Sequence, residues 1–130
     1  MIRPLAALLF LLPLALPASA ASKLSGEEWS VVQIGAASVA EDAKLTLSFD
    51  AEGRISGHSG CNRFMGGFSQ DGEVLSFTQI AGTMMACPQP QMDLERQMLD
   101  ALSATKSFSL TPGGALELIG EEGLVLRALR

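Results

Sequence analysis

Between Gly57 and Pro88 the chain gathers both of its cysteines, its one histidine and three of its six methionines. Thiol, imidazole and thioether groups in one stretch point either to a disulfide or to a soft-metal site. Cys61 and Cys87 stand 26 positions apart, far from the C-x-x-C spacing of a thiol–disulfide oxidoreductase. In an oxidising compartment two such cysteines pair, and a closed loop of this length contributes about 3.5 kcal/mol by restricting the unfolded chain. The rival chemistry is copper(I) binding, because thiolate and thioether ligands select copper(I) over zinc. Its ligand set would be His58, Cys61, Met84, Met85, Cys87 and Met92. A disulfide removes both thiolates from that set, and methionines beside a helix start are expected to fill core. No metal ligands and no cofactor are therefore assigned.

Asn62, Arg63 and Phe64 follow Cys61 in a glycine-rich bend and form the candidate binding surface, pre-ordered by the bridge. Their plainer roles are a turn-capping Asn62, a solvated Arg63 and a core Phe64. No catalytic residue is assigned. The lone histidine, His58, is expected to face solvent, so no Ser-His-Asp set forms, and no glycine-rich phosphate loop precedes a helix. Asp93 and Glu95 lie two apart on a helix and face different directions. The expectation is a non-enzymatic protein.

The elements that hold these residues are mostly strands. Glu28 to Ile34 carries β-branched residues and Trp29, the only tryptophan, expected to plug the core. Gly35 to Ala43 is small and polar and is expected to be a loop. Leu45, Leu47 and Phe49 alternate with Thr46 and Ser48, and Asp50-Ala51-Glu52-Gly53 turns the chain into Arg54–His58, with Ile55 inward. Gly57, Gly60, Gly66 and Gly67 mark bends or bulges where a sheet curls. Asp71-Gly72 turns into Glu73–Ile80, with Leu75 and Phe77 inward. From Met92 to Ser103 the residues Leu94, Met98, Ala101 and Leu102 share one helical face, with Asp93, Arg96, Gln97 and Asp100 opposite. The last strands alternate through Phe108 and Leu110, Leu116 and Leu118, then Leu124, Leu126 and Ala128. Strands joined by hairpins with one helix describe an α+β fold. Its sheet should be antiparallel and strongly curved, an incomplete barrel with one packed amphipathic helix.

Residues 1–20 read as a cleaved secretory signal peptide: Arg3, an apolar run through Leu5–Leu16, then the small-residue motif Ala18-Ser19-Ala20. The run is interrupted by Pro13 and falls short of the roughly 20 apolar residues of a spanning helix. The mature chain, residues 21–130, is expected to be one domain, soluble and exported to the periplasm or beyond. Removing Arg3 leaves 8 basic residues against 14 acidic ones, a net charge of −6. An acidic chain without a basic cluster is a poor partner for nucleic acid or anionic membrane surfaces.

Gly60-Cys61-Asn62-Arg63-Phe64 with Gly66, followed by Thr83-Met84-Met85-Ala86-Cys87-Pro88 and the amphipathic helix, resembles the META domain, also called the HslJ-like heat-shock family. The resemblance spans residues 24 to 129 and implies a curled antiparallel sheet with one helix and a bridge between Cys61 and Cys87. Position 84, often basic in that family, is Met here. Family members are mostly exported or envelope proteins linked to heat response, antibiotic tolerance and motility, without an established reaction. With no catalytic set in the sequence, the expectation is a monomeric envelope protein with a stress or maintenance role, acting on an envelope-protein partner or a hydrophobic ligand. An alternative is a carrier holding a lipid or hydrophobic peptide inside the barrel.

Overall fold

The computed structural model describes residues 1, 2, 4, 6–13 and 21–130. The expected cleavage motif at positions 18–20 and part of the apolar run before it lie outside the described residues. Among the described residues no helix is long and apolar enough to cross a membrane.

A short helix, α1 (Ala21–Leu24), precedes β1 (Trp29–Ile34), β2 (Ala37–Ser38), β3 (Thr46–Phe49), β4 (Arg54–His58), β5 (Arg63–Asp71) and β6 (Val74–Gly82). The long helix α2 (Gln89–Ala104) follows, and β7 (Ser107–Leu110), β8 (Leu116–Gly120) and β9 (Gly123–Leu129) close the chain. Every strand pairing is antiparallel, and β1 pairs with both β3 and β9, so the sheet curls round on itself. One seam is thin: β6 meets β7 through the single registered pair Val74 and Ser107. The result is the expected strongly curved α+β sheet, incomplete as a barrel along that seam, with α2 packed against β1, β6, β8 and β9.

Alternation dictates the core. Leu45, Leu47, Phe49, Ile55, Leu75, Leu116, Leu118 and Leu126 all point inward and are buried, and α2 adds Met98, Ala101 and Leu102. Trp29 is 2% exposed and donates its indole N–H to Leu24 O at 3.0 Å. The guanidinium of Arg130 lies 4.0 Å over the Trp29 ring. It also donates to the carbonyls of Lys23, Leu24, Ser25 and Glu27 at 2.7 to 3.2 Å, tying the two ends of the domain together. The helix begins earlier than its apolar spacing suggests: Pro88 occupies the N-cap and Pro90 sits in the first turn, where the missing N–H is no loss.

Two local expectations are corrected. Residues 35–43 are not merely a loop, because Ala37–Ser38 folds back on β1 as β2 and Glu41–Ala43 forms a 3-10 turn. Leu124 is not the core-facing residue of β9: the register slips between Leu118 and Ile119, and the bulge turns Val125 against the core in its place.

Candidate functional site

Asn62 is the hub of the disulfide region. It is 5% exposed, and its side chain spends every donor and acceptor inside the protein. Oδ1 accepts from Thr83 Oγ1 at 2.8 Å and from Met85 N at 2.7 Å. Nδ2 donates to Glu95 Oε2 at 3.1 Å and to Met85 O at 3.3 Å. The Asn62 backbone N–H reaches Glu95 Oε1 at 3.0 Å, and Ser59 Oγ donates to the same oxygen at 2.6 Å. One amide thus joins the bend at 59–62, the extended segment 83–85 and helix α2. Beside it Cys61 and Cys87 are bonded, their Cα atoms 5.9 Å apart.

Glu95 is the residue that sequence reading missed as a partner of this bend. Burial acts to raise its pKa, but the donors Ser59 Oγ, Asn62 Nδ2 and Asn62 N, together with the field of His58, outweigh burial and hold the carboxyl below its ordinary value. Its signal was present in the helix pattern. Glu95 sits three residues before Met98 and seven before Leu102, an acid in the apolar stripe. Asp93 faces away and pairs with Arg96.

Of the three candidate contact residues, only Arg63 offers its side chain to solvent. Asn62 is consumed as described, and Phe64 is 1% exposed in the core. The expectation for the methionines is overturned. Met98 alone fills core, while Met65 is 62%, Met84 97%, Met85 58% and Met92 40% exposed. The helix stripe keeps the expected Leu94 and adds Leu99, with Met92 outside it.

The exposed methionines rim two contiguous grooves, one across the outer face of the sheet and one between segment 83–86 and helix α2. The larger, of about 820 Å³, runs across β3 to β6 over the outward residues Thr46, Ser48, Ser56, His58, Met65 and Ala81. At its floor Gly57 lies directly against the buried Phe64 ring, and neither Gly57 nor Gly82 has room for a side chain. A Cβ at Gly57 would lie 2.0 Å from Thr46 O and 2.8 Å from Phe64 Cζ, and one at Gly82 would lie 2.9 Å from Arg63 O. The second groove, of about 510 Å³, shares Arg63, Phe64, Gly82 and Thr83 with the first and continues past Met84, Met85 and Met92 toward Leu99. His58 is half-buried rather than fully solvated. Its Nδ1 accepts from Gly60 N at 3.3 Å, which leaves Nε2 as the donor.

A model of the META domain matches residues 22–130. The chain belongs to the META domain family. This META domain is similar in structure to a protein from Burkholderia xenovorans solved by NMR, with a TM-score of 0.67 and 28% identity over 86% of each chain. A DUF4847 family protein from Bacteroides vulgatus shares the fold at 14% identity and a TM-score of 0.65, over 87% of this chain and 98% of that one. No curated protein sequence matches it.

Proposed function

We propose that this META domain is a non-enzymatic exported binding module whose ligand surface is the outer groove. One observation carries the reading: four of the methionines stand exposed around two joined grooves, against one in the core. Unbranched thioether side chains are adaptable and recur where a surface meets varied apolar partners. An apolar patch of this kind on a protein surface marks an interaction site. The envelope setting and a stress or maintenance role follow from the leader pattern and the family resemblance.

Carriage inside the barrel is the weaker reading, because Trp29, Phe49, Phe64, Phe108, Leu118 and Leu126 occupy the interior. Copper(I) binding through the full soft-ligand set loses its two thiolates to the Cys61–Cys87 bond. The network around Asn62 supports the groove indirectly: it fixes segment 83–85, which carries Met84 and Met85, to the helix and the bend. Titration with the neutral dye Nile red tests the reading. Blue-shifted, saturable emission is expected, and it should be lost in a Met65→Asp, Met85→Asp double variant that keeps the wild-type circular dichroism. Dye binding that the two aspartates leave intact would refute an outer-groove site.

A further inference from the structure

We infer that the groove takes a single-chain anionic amphiphile, a long-chain carboxylate in monomeric form, with its head at Lys44, His58 and Arg63 and its tail along the methionine rim. The inference rests on the outer-groove reading and adds the chemistry of the occupant. The protein as a whole carries a net charge of −5, so an anion is repelled unless the local charge is reversed. At this groove it is. Lys44 and Arg63 line it against a single carboxylate, Glu28. Among the described residues the one ion pair is Arg96 with Asp93, so neither Lys44 nor Arg63 is neutralised by a carboxylate contact.

Lys44 is also placed by its backbone. It caps the 3-10 turn at φ 52°, in the left-handed region that a non-glycine residue rarely occupies. The bond from Gly60 N to His58 Nδ1 leaves the imidazole with a donor, Nε2–H, as its free group. An ammonium, a guanidinium and an imidazole N–H are all donors, the complement of an oxyanion, and an arginine fork suits a carboxylate in particular. Beyond the head position apolar side chains interrupt the polar sheet face, Ala81 and Met65 in the first groove and Met84, Met85, Met92 and Leu99 in the second, where the one carboxylate, Glu95, is held by Ser59 and Asn62. The 820 Å³ of the first groove lies within the usual range for small-ligand sites, about 300–1,000 Å³.

The test is displacement of Nile red from the exported protein by dodecanoate, by the neutral isostere 1-dodecanol and by dodecyltrimethylammonium, each below its micelle concentration, with phosphatidylglycerol vesicle flotation alongside. Dodecanoate should displace the dye, 1-dodecanol at least about tenfold more weakly, and the cation weakest of all, since a charge-assisted bond is worth about one factor of ten or more. Lys44→Glu with Arg63→Glu should weaken dodecanoate by about tenfold or more, whereas Lys106→Glu, away from the groove, should not. Equal displacement by dodecanoate and 1-dodecanol, or no effect of the double charge reversal, overturns the carboxylate inference while Nile red binding still upholds the groove. Flotation with vesicles without displacement by monomeric dodecanoate overturns it in favour of a bilayer surface. A wild-type protein that binds neither Nile red nor dodecanoate overturns both.

Discussion

Replacing Glu95 by glutamine removes the charge at the hub while keeping its size. The native carboxylate accepts three bonds, two on Oε1 from Ser59 Oγ and Asn62 N and one on Oε2 from Asn62 Nδ2. A glutamine offers one acceptor oxygen. In its better orientation the carbonyl keeps Ser59 and Asn62 N, and its NH2 faces the Asn62 NH2, donor against donor. One charge-assisted bond is lost, two are weakened, and a half-buried donor is left without its acceptor. With bonds to charged groups worth about 1.5–3 kcal/mol each and partial solvent screening, the variant should lose about 2 kcal/mol near neutrality. For a domain of this size that is a fall in Tm of about 10 °C. The pH dependence has a definite sign. The folded-state pKa of Glu95 is lowered from 4.5, so the folded protein binds this proton less readily than the unfolded chain. The stabilisation is therefore present above about pH 4.5 and is lost as pH falls through the folded value. Thermal melts of both proteins near neutrality and near pH 3 should show a gap that narrows in acid. Equal Tm values near neutrality, or a gap unchanged in acid, would refute the hub.

Three further substitutions have defined outcomes. The Cys61→Ser, Cys87→Ser double variant should be less stable by about 3.5 kcal/mol in urea titrations, and unchanged stability would mean that the bridge closes no costly loop. Gly57→Ala should lower stability by more than about 2 kcal/mol, because its Cβ meets a backbone oxygen, Thr46 O, at 2.0 Å, which no rotamer change relieves; a wild-type melt would contradict the close strand packing. Arg130→Ala removes the contact over Trp29 and the donors to four carbonyls, so tryptophan emission should shift red and Tm should fall by the equivalent of about 1 kcal/mol. An unshifted emission spectrum would show that the clamp does not shield the indole.

The architecture was legible wherever one face of a strand is buried. Leu45-Thr46-Leu47-Ser48-Phe49 announces both its strand and its inward face, because a register slip by one residue would expose all three apolar side chains. The α2 stripe was legible for the same reason at helical period. Ala37–Ser38 was not, since its two exposed residues pair only through backbone and leave no side-chain signature. Nor was the choice of Val125 over Leu124: both are apolar, and a bulge decides between them. The groove was the least legible part of the site. It depends on two glycines on different strands, Gly57 and Gly82, that put no side chain at its floor, and on outward residues whose polar character reads only as a solvated sheet face. The exposed methionines were misread because apolar character is normally spent inside, and the spacing of Met84, Met85 and Met92 does not separate a core methionine from one on a groove rim.

The most direct test of the proposed outer-groove site is amide chemical-shift mapping of the 15N-labelled protein as Nile red is added. Shifts confined to the outward face, at Thr46, Ser56, Met65, Ala81 and Thr83, and continuing into Met84 and Met85, are the expected result. Shifts centred on the interior residues Phe108, Leu116, Leu118 and Leu126, with the outward face unmoved, would contradict an outer-groove site and return the ligand to the barrel.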